Sequence, residues 1–258
     1  MPSKATSTQQ NTNIHGKVVI VTGASSGIGC AIAEAYVKAG ANVAMAARRD
    51  DKQQELCKKF SEGAQGQVIA VKTDVIDKQQ VKELVRHTEC SFGPVDILVN
   101  CAGTSYYTLM KNHKEDEWDS MIDTNCKGVT NCIGAVLDGM IKKKSGHIVN
   151  ISSDAGRKGF PGLAVYSGSK FFVEGLSQAL RLEVASLGIR VTCLQPGDVE
   201  TEILNHTTDQ EAINLYDIHN KIKILEPDDV AQACIYATSQ PEYAAVNEIL
   251  IQPREAPM

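Results

Sequence analysis

The chain has 258 residues, of which 43% are hydrophobic and 22% charged, and its formal net charge is −5. This composition is typical of a soluble globular protein, and the length suits one large α/β domain or two small ones. The sequence has no basic stripe and no apolar run of about 18 residues, which argues against nucleic acid or a membrane as the main partner.

The polar segment 1–13 is rich in Ser, Thr, Gln and Asn, and we expect it to be a flexible tail ahead of one domain spanning 14–258. The eight cysteines are scattered singly, without a C-x-x-C pair or a Cys/His cluster at metal-binding spacing. This pattern predicts free thiols in a reducing compartment and no metal site. No apolar stretch follows Met1, so the cytoplasm is the expected location.

Seven short apolar runs alternate with helix-like runs along the domain. We expect strands at residues 17–22, 43–47, 67–73, 95–100, 147–151, 189–194 and 246–252. Strands that are apolar throughout and separated by helices predict a parallel sheet covered by helices on both faces. Right-handed crossovers then give an α/β, doubly wound, Rossmann-type sheet of seven strands in a single domain.

A glycine-rich turn, TGASSGIG at residues 22–29, follows the first strand and leads into an apolar helix that ends near Lys38. Glycines permit a tight turn and a close backbone approach to a ligand, and a helix N-terminus offers N–H groups to a pyrophosphate. The strand–turn–helix context therefore predicts a dinucleotide site. Its expected contacts come from Gly23, Ser25, Ser26, Gly27, Ile28 and Gly29.

The end of the second strand predicts which dinucleotide binds. NAD-binding folds place an Asp or Glu there to hold the ribose 2′-hydroxyl, whereas this chain has Ala46-Ala47-Arg48-Arg49. No carboxylate repels a 2′-phosphate, and the guanidiniums of Arg48 and Arg49 can bind one. We therefore expect NADP(H); the alternative is that both arginines are solvated cations ahead of the next helix.

Two further helices carry polar residues on their apolar faces. The helix expected over 115–140 has Asn125 on its apolar stripe, where either the nearby backbone or a functional partner could satisfy the amide. The helix that begins near Tyr166 directs Lys170 to the core, where a lysine needs an anionic or hydroxyl partner.

Tyr166 and Lys170 are four residues apart and share a helix face. A positive charge beside a phenol favours the phenolate, which makes the pair a candidate general acid or base. For an isolated Y-x-x-x-K, an ordinary half-buried tyrosine and a solvated lysine would be the commoner explanation.

From Gly16 onward the chain resembles the short-chain dehydrogenase/reductase family. The matching segments are 22–29 (T-G-x-x-x-G-x-G), 100–103 (N-N-A-G, with cysteine second), Asn125, Ser153 thirteen residues before the tyrosine, 166–170 (Y-x-x-x-K) and 196–201 (P-G-x-V-x-T). Segments 225–231 and 247–253 are similar to one NADP-dependent group, which includes animal dehydrogenase/reductase member 11, farnesol dehydrogenases and 3-hydroxy-acid dehydrogenases. The resemblance implies hydride transfer between NADP(H) and a carbonyl or alcohol.

The resemblance also implies roles for the site residues. Tyr166 would exchange a proton with the substrate oxygen, and Ser153 would hydrogen-bond that oxygen. Lys170 would assist Tyr166 and hold the nicotinamide ribose, while Asn125 would kink its helix and anchor a water on a proton path to Lys170. The other cofactor contacts it implies are Asp74 and Val75 at the adenine, Asn100, Ala102 and Gly103 at the adenosine ribose, and Pro196, Gly197, Val199 and Thr201 at the carboxamide end.

The substrate pocket is expected around Ser153 and Tyr166, with Tyr106 and Phe160 as further contacts. Its mostly apolar surroundings predict a medium-sized hydrophobic carbonyl compound or alcohol, such as a terpenoid, steroid or aromatic carbonyl.

Two alternatives stay open. Arg157 and Lys158 could meet a substrate carboxylate, as a 3-hydroxy-acid (serine-type) dehydrogenase would need, although such cations are more often simply exposed. A non-catalytic NADP-binding sensor is disfavoured because Ser153, Tyr166 and Lys170 are all present. The resemblance further implies a homodimer or homotetramer, paired through the helices that contain Asn125 and Tyr166.

Overall fold

In the computed structural model, which describes residues 13–216 and 222–256, seven parallel strands form one sheet in the order β3-β2-β1-β4-β5-β6-β7. The strands are β1 (Val18–Thr22), β2 (Asn42–Ala47), β3 (Val68–Lys72), β4 (Ile97–Asn100), β5 (Gly146–Ile151), β6 (Ile189–Pro196) and β7 (Glu248–Ile251). The predicted doubly wound α/β fold is confirmed.

Helices cover both faces of the sheet. They are α1 (Gly27–Lys38), α2 (Asp50–Ser61), α3 (Lys78–Phe92), α4 (Glu115–Ile122), α5 (Val129–Lys143), α6 (Ala164–Val184), α7 (Gln210–Tyr216) and α8 (Pro227–Thr238). No helix in the described ranges is long and apolar enough to cross a membrane. The tail expected over 1–13 lies outside the described residues except for Asn13, whose amide donates a hydrogen bond to the carbonyl of Ser239 at 2.8 Å.

Alternate residues of the strands build two apolar layers. Val19 and Val21 of β1 pack with α1, α2 and α8 on one face, whereas Ile20 packs with α3, α5 and α6 on the other. Successive side chains of a strand point to opposite faces, so a strand that is buried on both faces has to be apolar throughout. This is why the continuous apolar runs of the sequence correspond to strands of the central sheet.

The helix expected over 115–140 is interrupted. Between α4 and α5 the chain forms a wider π-helical segment, Asp123–Gly128, which contains the buried Asn125. A wider turn changes the rotational phase of the side chains, and Ile122, the apolar residue just before this segment, is 39% exposed. π-Helical segments are frequent at functional sites.

The strand order places a crevice beside β1. This strand pairs with β2 on one side and with β4 on the other, so the chain winds outward in both directions from this point. In open α/β sheets the connections after two such strands diverge, leaving a ligand crevice at their carboxyl ends.

Candidate active site

One cavity of about 750 Å³ occupies this crevice at the carboxyl ends of the strands. It brings together most of the residues expected at a cofactor and substrate site. Those lining it are Gly23, Ser25, Ser26, Gly27, Ile28, Gly29, Arg48, Arg49, Asp74, Val75, Ala102, Gly103, Ser153, Phe160, Tyr166, Lys170, Pro196, Gly197, Val199 and Thr201.

The glycine turn forms one wall of the cavity and leaves no room for side chains. Gly23 has φ +68°, and a Cβ there would lie 2.8 Å from the Cα of Ala102. A Cβ on Gly29 would overlap the carbonyl oxygen of Gly23. Ser26 precedes α1 without capping its N–H groups by a side-chain hydrogen bond. The first N–H groups of α1 are therefore available to an anionic ligand.

Arg49 connects this turn to the loop after β6. Its guanidinium donates hydrogen bonds to the hydroxyls of Ser26 at 2.5 Å and Ser25 at 3.2 Å. It also lies 3.3 Å from the carboxylate of Glu202, which is 3.6 Å from the ammonium of Lys52. The hydrogen bond from Arg49 and the charge of Lys52 lower the pKa of Glu202. No local pattern pointed to Glu202, because it lies 153 residues from Arg49 along the chain.

Tyr166 and Lys170 lie one turn apart near the start of α6 and both line the cavity. The ammonium of Lys170 is 5.5 Å from the centre of the Tyr166 ring. Lys170 is 6% exposed, as its place on the core face of the helix predicts. Its ammonium donates to the backbone carbonyl of Ile151 at 2.9 Å, so the protein partner that the structure shows is a neutral carbonyl; the expected anionic or hydroxyl partner stays a prediction. A neutral acceptor leaves the positive charge uncompensated beside the phenol.

Asn125 lies behind the cavity wall, 1% exposed. Its side-chain oxygen accepts from the N–H of Thr104 at 2.9 Å, and its amide nitrogen donates to the carbonyl of Thr104 at 2.9 Å and to the hydroxyl of Ser169 at 3.0 Å. The amide thus fixes the loop after β4 to α6. A Cβ on Gly103 would lie 3.3 Å from the Asn125 oxygen and 3.9 Å from the Lys170 nitrogen, so this loop also borders the lysine.

Ser153 follows β5 and faces the cavity with a carboxylate beside it. Its hydroxyl donates to Oδ1 of Asp154 at 3.1 Å and accepts from the N–H of Ala155 at 3.2 Å. Oδ2 of Asp154 accepts from the amide of Gln252 at 3.1 Å. Asp154 was not predicted as a site residue, although its position next to the motif serine was a usable signal.

Two expected contacts do not line the cavity. Asn100 is 3% exposed, and its amide donates to the side-chain oxygen of Asn150 on the neighbouring strand at 2.8 Å. Tyr106 lies outside the lining, where the adjacent Tyr107 is found instead. Neighbouring side chains of an extended segment point in opposite directions, so a shift of one residue exchanges the two tyrosines.

The segment 198–212, here called the lid, lines the substrate side of the cavity with Ile203, Leu204 and His206. The chain after β6 reaches the loop after β4 through Thr207, which accepts from the N–H of Tyr107 at 3.1 Å, and through Asp209, which accepts from the N–H of Leu109 at 2.9 Å. Asn112 also donates to both oxygens of Asp209 at 3.0 Å. Burial raises the pKa of Asp209, but these hydrogen bonds outweigh burial and lower the pKa overall. Sequence reasoning missed this contact, which joins residues about a hundred positions apart.

The sequence model of the short chain dehydrogenase family matches residues 17–212. The chain belongs to this family. The family assignment makes it an oxidoreductase.

Relatives of known sequence agree with this assignment. Over 246 residues the chain is 53% identical to glycine betaine reductase ATRR of Emericella nidulans, covering 95% of this chain but 19% of that protein. It is 41% identical over 244 residues to an uncharacterized oxidoreductase of Staphylococcus saprophyticus, covering 93% of this chain and 97% of the relative. The chain therefore spans about a fifth of the first relative and nearly all of the second.

Solved structures share the architecture. The closed form of a serine dehydrogenase complexed with NADP⁺ superposes with a TM-score of 0.86 at 30% identity, covering 93% of this chain and 96% of that one. An alcohol dehydrogenase from Thermococcus sibiricus, complexed with 5-hydroxy-NADP, gives a TM-score of 0.83 at 26% identity, covering 94% and 98%.

Proposed function

We propose that this short-chain dehydrogenase interconverts a ketone or aldehyde and an alcohol with NADP(H), using Tyr166 as general acid and base. The observation that carries the proposal is that Ser153, Tyr166 and Lys170 line the same cavity as the glycine turn. A proton donor and a dinucleotide cradle in one crevice suit hydride transfer coupled to proton transfer.

The residues present fit NADP(H). The tight glycine cradle and the uncapped start of α1 suit a pyrophosphate, and Arg48 and Arg49 line the cavity beyond the buried, uncharged Ala47. Two structural relatives were solved with NADP⁺ or 5-hydroxy-NADP. When bound, the nicotinamide supplies or accepts the hydride.

The side chains of the protein handle the proton and the substrate oxygen. In the reductive direction the Tyr166 hydroxyl donates its proton to the carbonyl oxygen, and Ser153 donates a hydrogen bond to the same atom. To do so, Ser153 turns its proton away from Asp154, its acceptor at 3.1 Å. The uncompensated charge of Lys170 stabilises the tyrosinate that remains. In oxidation each proton moves in the opposite direction.

Asn125 is a positioning residue in this proposal. Its oxygen accepts one hydrogen bond from Thr104 and keeps capacity for a second. A water held there would return a proton towards Lys170, in agreement with the role that the family resemblance implies. The same amide holds the loop after β4 in place.

The substrate end of the cavity is largely apolar. Its lining there includes Tyr107, Phe160, Leu163, Ile203 and Leu204. This composition supports a carbonyl substrate with an apolar surface, and we retain the prediction of a medium-sized hydrophobic compound.

A second candidate is a hydroxy acid or another small charged substrate. Lys158 lines the cavity, whereas Arg157 is directed to Gln195 at 2.9 Å, which leaves Lys158 as the cation available to a carboxylate. The serine dehydrogenase neighbour favours this candidate. Glycine betaine, named in the Emericella relative, carries a quaternary ammonium instead. The ATRR protein is about five times longer than this chain, so its whole activity is not transferred here.

Loss of absorbance at about 340 nm, where reduced nicotinamide absorbs, tests the proposal. The purified protein with NADPH should reduce at least one member of a panel of hydrophobic ketones, aldehydes and oxo acids. Silence across the panel, with NADPH still bound in calorimetry, would instead indicate a nucleotide-binding sensor.

The predicted assembly is a homodimer or homotetramer, and the outer face of α6 supports it. Phe171, Phe172 and Leu182 are 47%, 42% and 84% exposed on this helix. Exposed apolar side chains on one helix face favour a protein contact. Light scattering decides between monomer, dimer and tetramer; a cytoplasmic location is likewise retained as a prediction.

A further inference from the structure

We propose that Asp154 is the anionic partner of a positive charge carried by the substrate next to its reacting carbon, so that the enzyme selects 2-ammonio aldehydes or ketones and the matching alcohols. This inference rests on the proposed function and adds the charge of the substrate. Proton and hydride transfer by themselves do not require a carboxylate at the position of Asp154.

Asp154 lines the cavity immediately beside the hydroxyl that would hold the substrate oxygen. Its Oδ1 accepts from Ser153 at 3.1 Å and its Oδ2 from Gln252 at 3.1 Å, both neutral donors. Among the residues that the structure describes, no lysine, arginine or histidine forms an ion pair with it. The carboxylate therefore brings to the reacting centre a negative charge that is held by hydrogen bonds from neutral groups.

That charge opposes carbonyl reduction and works against the positive charge of Lys170 in the same cavity. Negative charge develops on the substrate oxygen, which Ser153 and Tyr166 would hold, and a carboxylate one hydrogen bond away repels it. A cation on the adjacent substrate carbon would attract both the carboxylate and the developing oxyanion. With such a substrate the same Asp154 stabilises the transition state instead of opposing it.

The surrounding side chains suit an ammonium group with an apolar surface. The rings of Tyr107 and Phe160 line the cavity, and aromatic faces bind ammonium and quaternary ammonium groups. Phe160 already receives one: the ammonium of Lys158 lies 5.5 Å from its ring centre. Lys158 is exposed, and its ammonium lies over Phe160 rather than against Asp154. It is also the cation that a competing carboxylate substrate would use.

Chemistry common to two relatives points the same way. In serine the ammonium is on the carbon next to the hydroxyl-bearing carbon, and in glycine betaine the trimethylammonium is on the carbon next to the carboxyl carbon. A serine dehydrogenase and a glycine betaine reductase, by their names, thus both handle an ammonium adjacent to the oxidised or reduced carbon.

The test compares two aldehydes of the same shape that differ in charge, trimethylammonioacetaldehyde and 3,3-dimethylbutanal, with NADPH as reductant. We expect kcat/KM to favour the cationic aldehyde by at least about tenfold, and Asp154→Asn to reduce this ratio by at least about tenfold. A change in the position of Ser153 affects the reduction of both aldehydes, so the ratio of their kcat/KM values reports on the effect of the substrate charge. Asp154→Glu should keep the preference, and Glu83→Gln, which removes an exposed carboxylate paired with Arg86 outside the cavity, should leave the ratio unchanged.

The variant Lys158→Gln distinguishes an ammonium substrate from a carboxylate substrate. It should leave the ratio unchanged or raise it if the substrate is an ammonium compound. A fall in turnover of oxo acids together with no preference for the cationic aldehyde would assign the site to carboxylates and overturn the inference.

A binding measurement is independent of turnover. Calorimetry should show that choline binds at least about tenfold more tightly than 3,3-dimethyl-1-butanol to the wild type, and without preference to Asp154→Asn. Reduction of the neutral aldehyde as fast as the cationic one would overturn the inference and leave the proposed function standing. If neither aldehyde is reduced, the inference fails even where choline keeps its Asp154-dependent preference, and the proposed function is then judged by the full carbonyl panel. If binding shows no preference, the inference fails as well.

Discussion

The ammonium of Lys170 lies 5.5 Å from the ring centre of Tyr166 and donates to the carbonyl of Ile151 rather than to a carboxylate. A carboxylate at that position would neutralise the lysine and cancel its effect on the phenol. Because the acceptor is neutral, the positive charge remains available to the tyrosinate that forms during turnover.

Replacement of Tyr166 by phenylalanine should lower kcat by at least about a hundredfold, since general acid–base catalysis contributes about 10²- to 10⁴-fold. NADPH affinity should change little, which calorimetry checks. Tyr107→Phe, which removes a hydroxyl from the same cavity, should cost far less. Full turnover by Tyr166→Phe would refute the acid–base assignment.

Cofactor choice should respond to the end of β2. The double variant Ala47→Asp and Arg48→Ala adds a carboxylate for the ribose hydroxyl and removes a cation from the phosphate side. We expect the ratio of kcat/KM for NADPH over NADH to fall by at least about tenfold. Arg48→Ala alone should weaken NADPH without improving NADH. An unchanged ratio in the double variant would contradict the NADP assignment.

Glu202 should compete with the 2′-phosphate of the cofactor. Its carboxylate lies 3.3 Å from Arg49 and 3.6 Å from Lys52, and a phosphate using these cations has to displace it. We expect Glu202→Gln to tighten NADPH binding by up to about fivefold, a small effect because all three groups are exposed. NADH, which lacks the phosphate, should bind as before. Calorimetric titrations that show equal changes for both nucleotides would contradict this.

Asp209 should keep the lid closed. Asp209→Ala removes the acceptor for Leu109 and Asn112, so we expect KM to rise more than kcat falls and proteolysis near the lid to accelerate. Glu211→Gln is the matched control, because Glu211 forms an exposed ion pair with Lys111 that should contribute little. Equal effects of the two substitutions would argue against a latch at Asp209.

His147 should make the fold sensitive to mild acid. It is 2% exposed, and burial together with the charge of Arg190 lowers its pKa to about 3. The Thr192 hydroxyl lies 2.7 Å from its Nε2 and donates to the carbonyl of Val246 at 2.6 Å, so Nε2 has to be the donor of a neutral imidazole. Between pH 3 and 6.5 the unfolded chain takes up the proton and the folded chain does not. The free energy of unfolding therefore decreases as the pH is lowered through this window.

At pH 5 this histidine should lower the free energy of unfolding by about 2 kcal/mol relative to pH 8. Urea unfolding at both pH values measures the difference. His147→Gln removes the titrating group and should reduce the loss by that amount, whatever the other groups contribute. An equal loss in both proteins would show that His147 does not titrate on unfolding.

Most of the predictions came from patterns among residues that are close together in the sequence. The strands followed from continuous apolar runs, the phosphate turn from three glycines between a strand and a helix, and the pairing of Tyr166 with Lys170 from a spacing of four. The family resemblance implied a kink at Asn125, but the π-helical form of the segment was not predicted. A local pattern gives the period of a helix and not the contacts of Asn125 with Thr104 and Ser169, which only the folded chain makes.

The sequence by itself determined the doubly wound sheet, the position of the crevice and the family, because hydrophobic periodicity and motif spacing are properties of nearby residues. The tertiary structure alone decided that Tyr107 rather than Tyr106 faces the cavity and that Asn100 bonds to Asn150. It also decided that Glu202 pairs with Arg49 and that Asp154 lies beside Ser153 with neutral donors on both carboxylate oxygens. Each of these contacts depends on the orientation of a side chain or on segments far apart in the chain, and those are fixed only when the whole sheet is assembled.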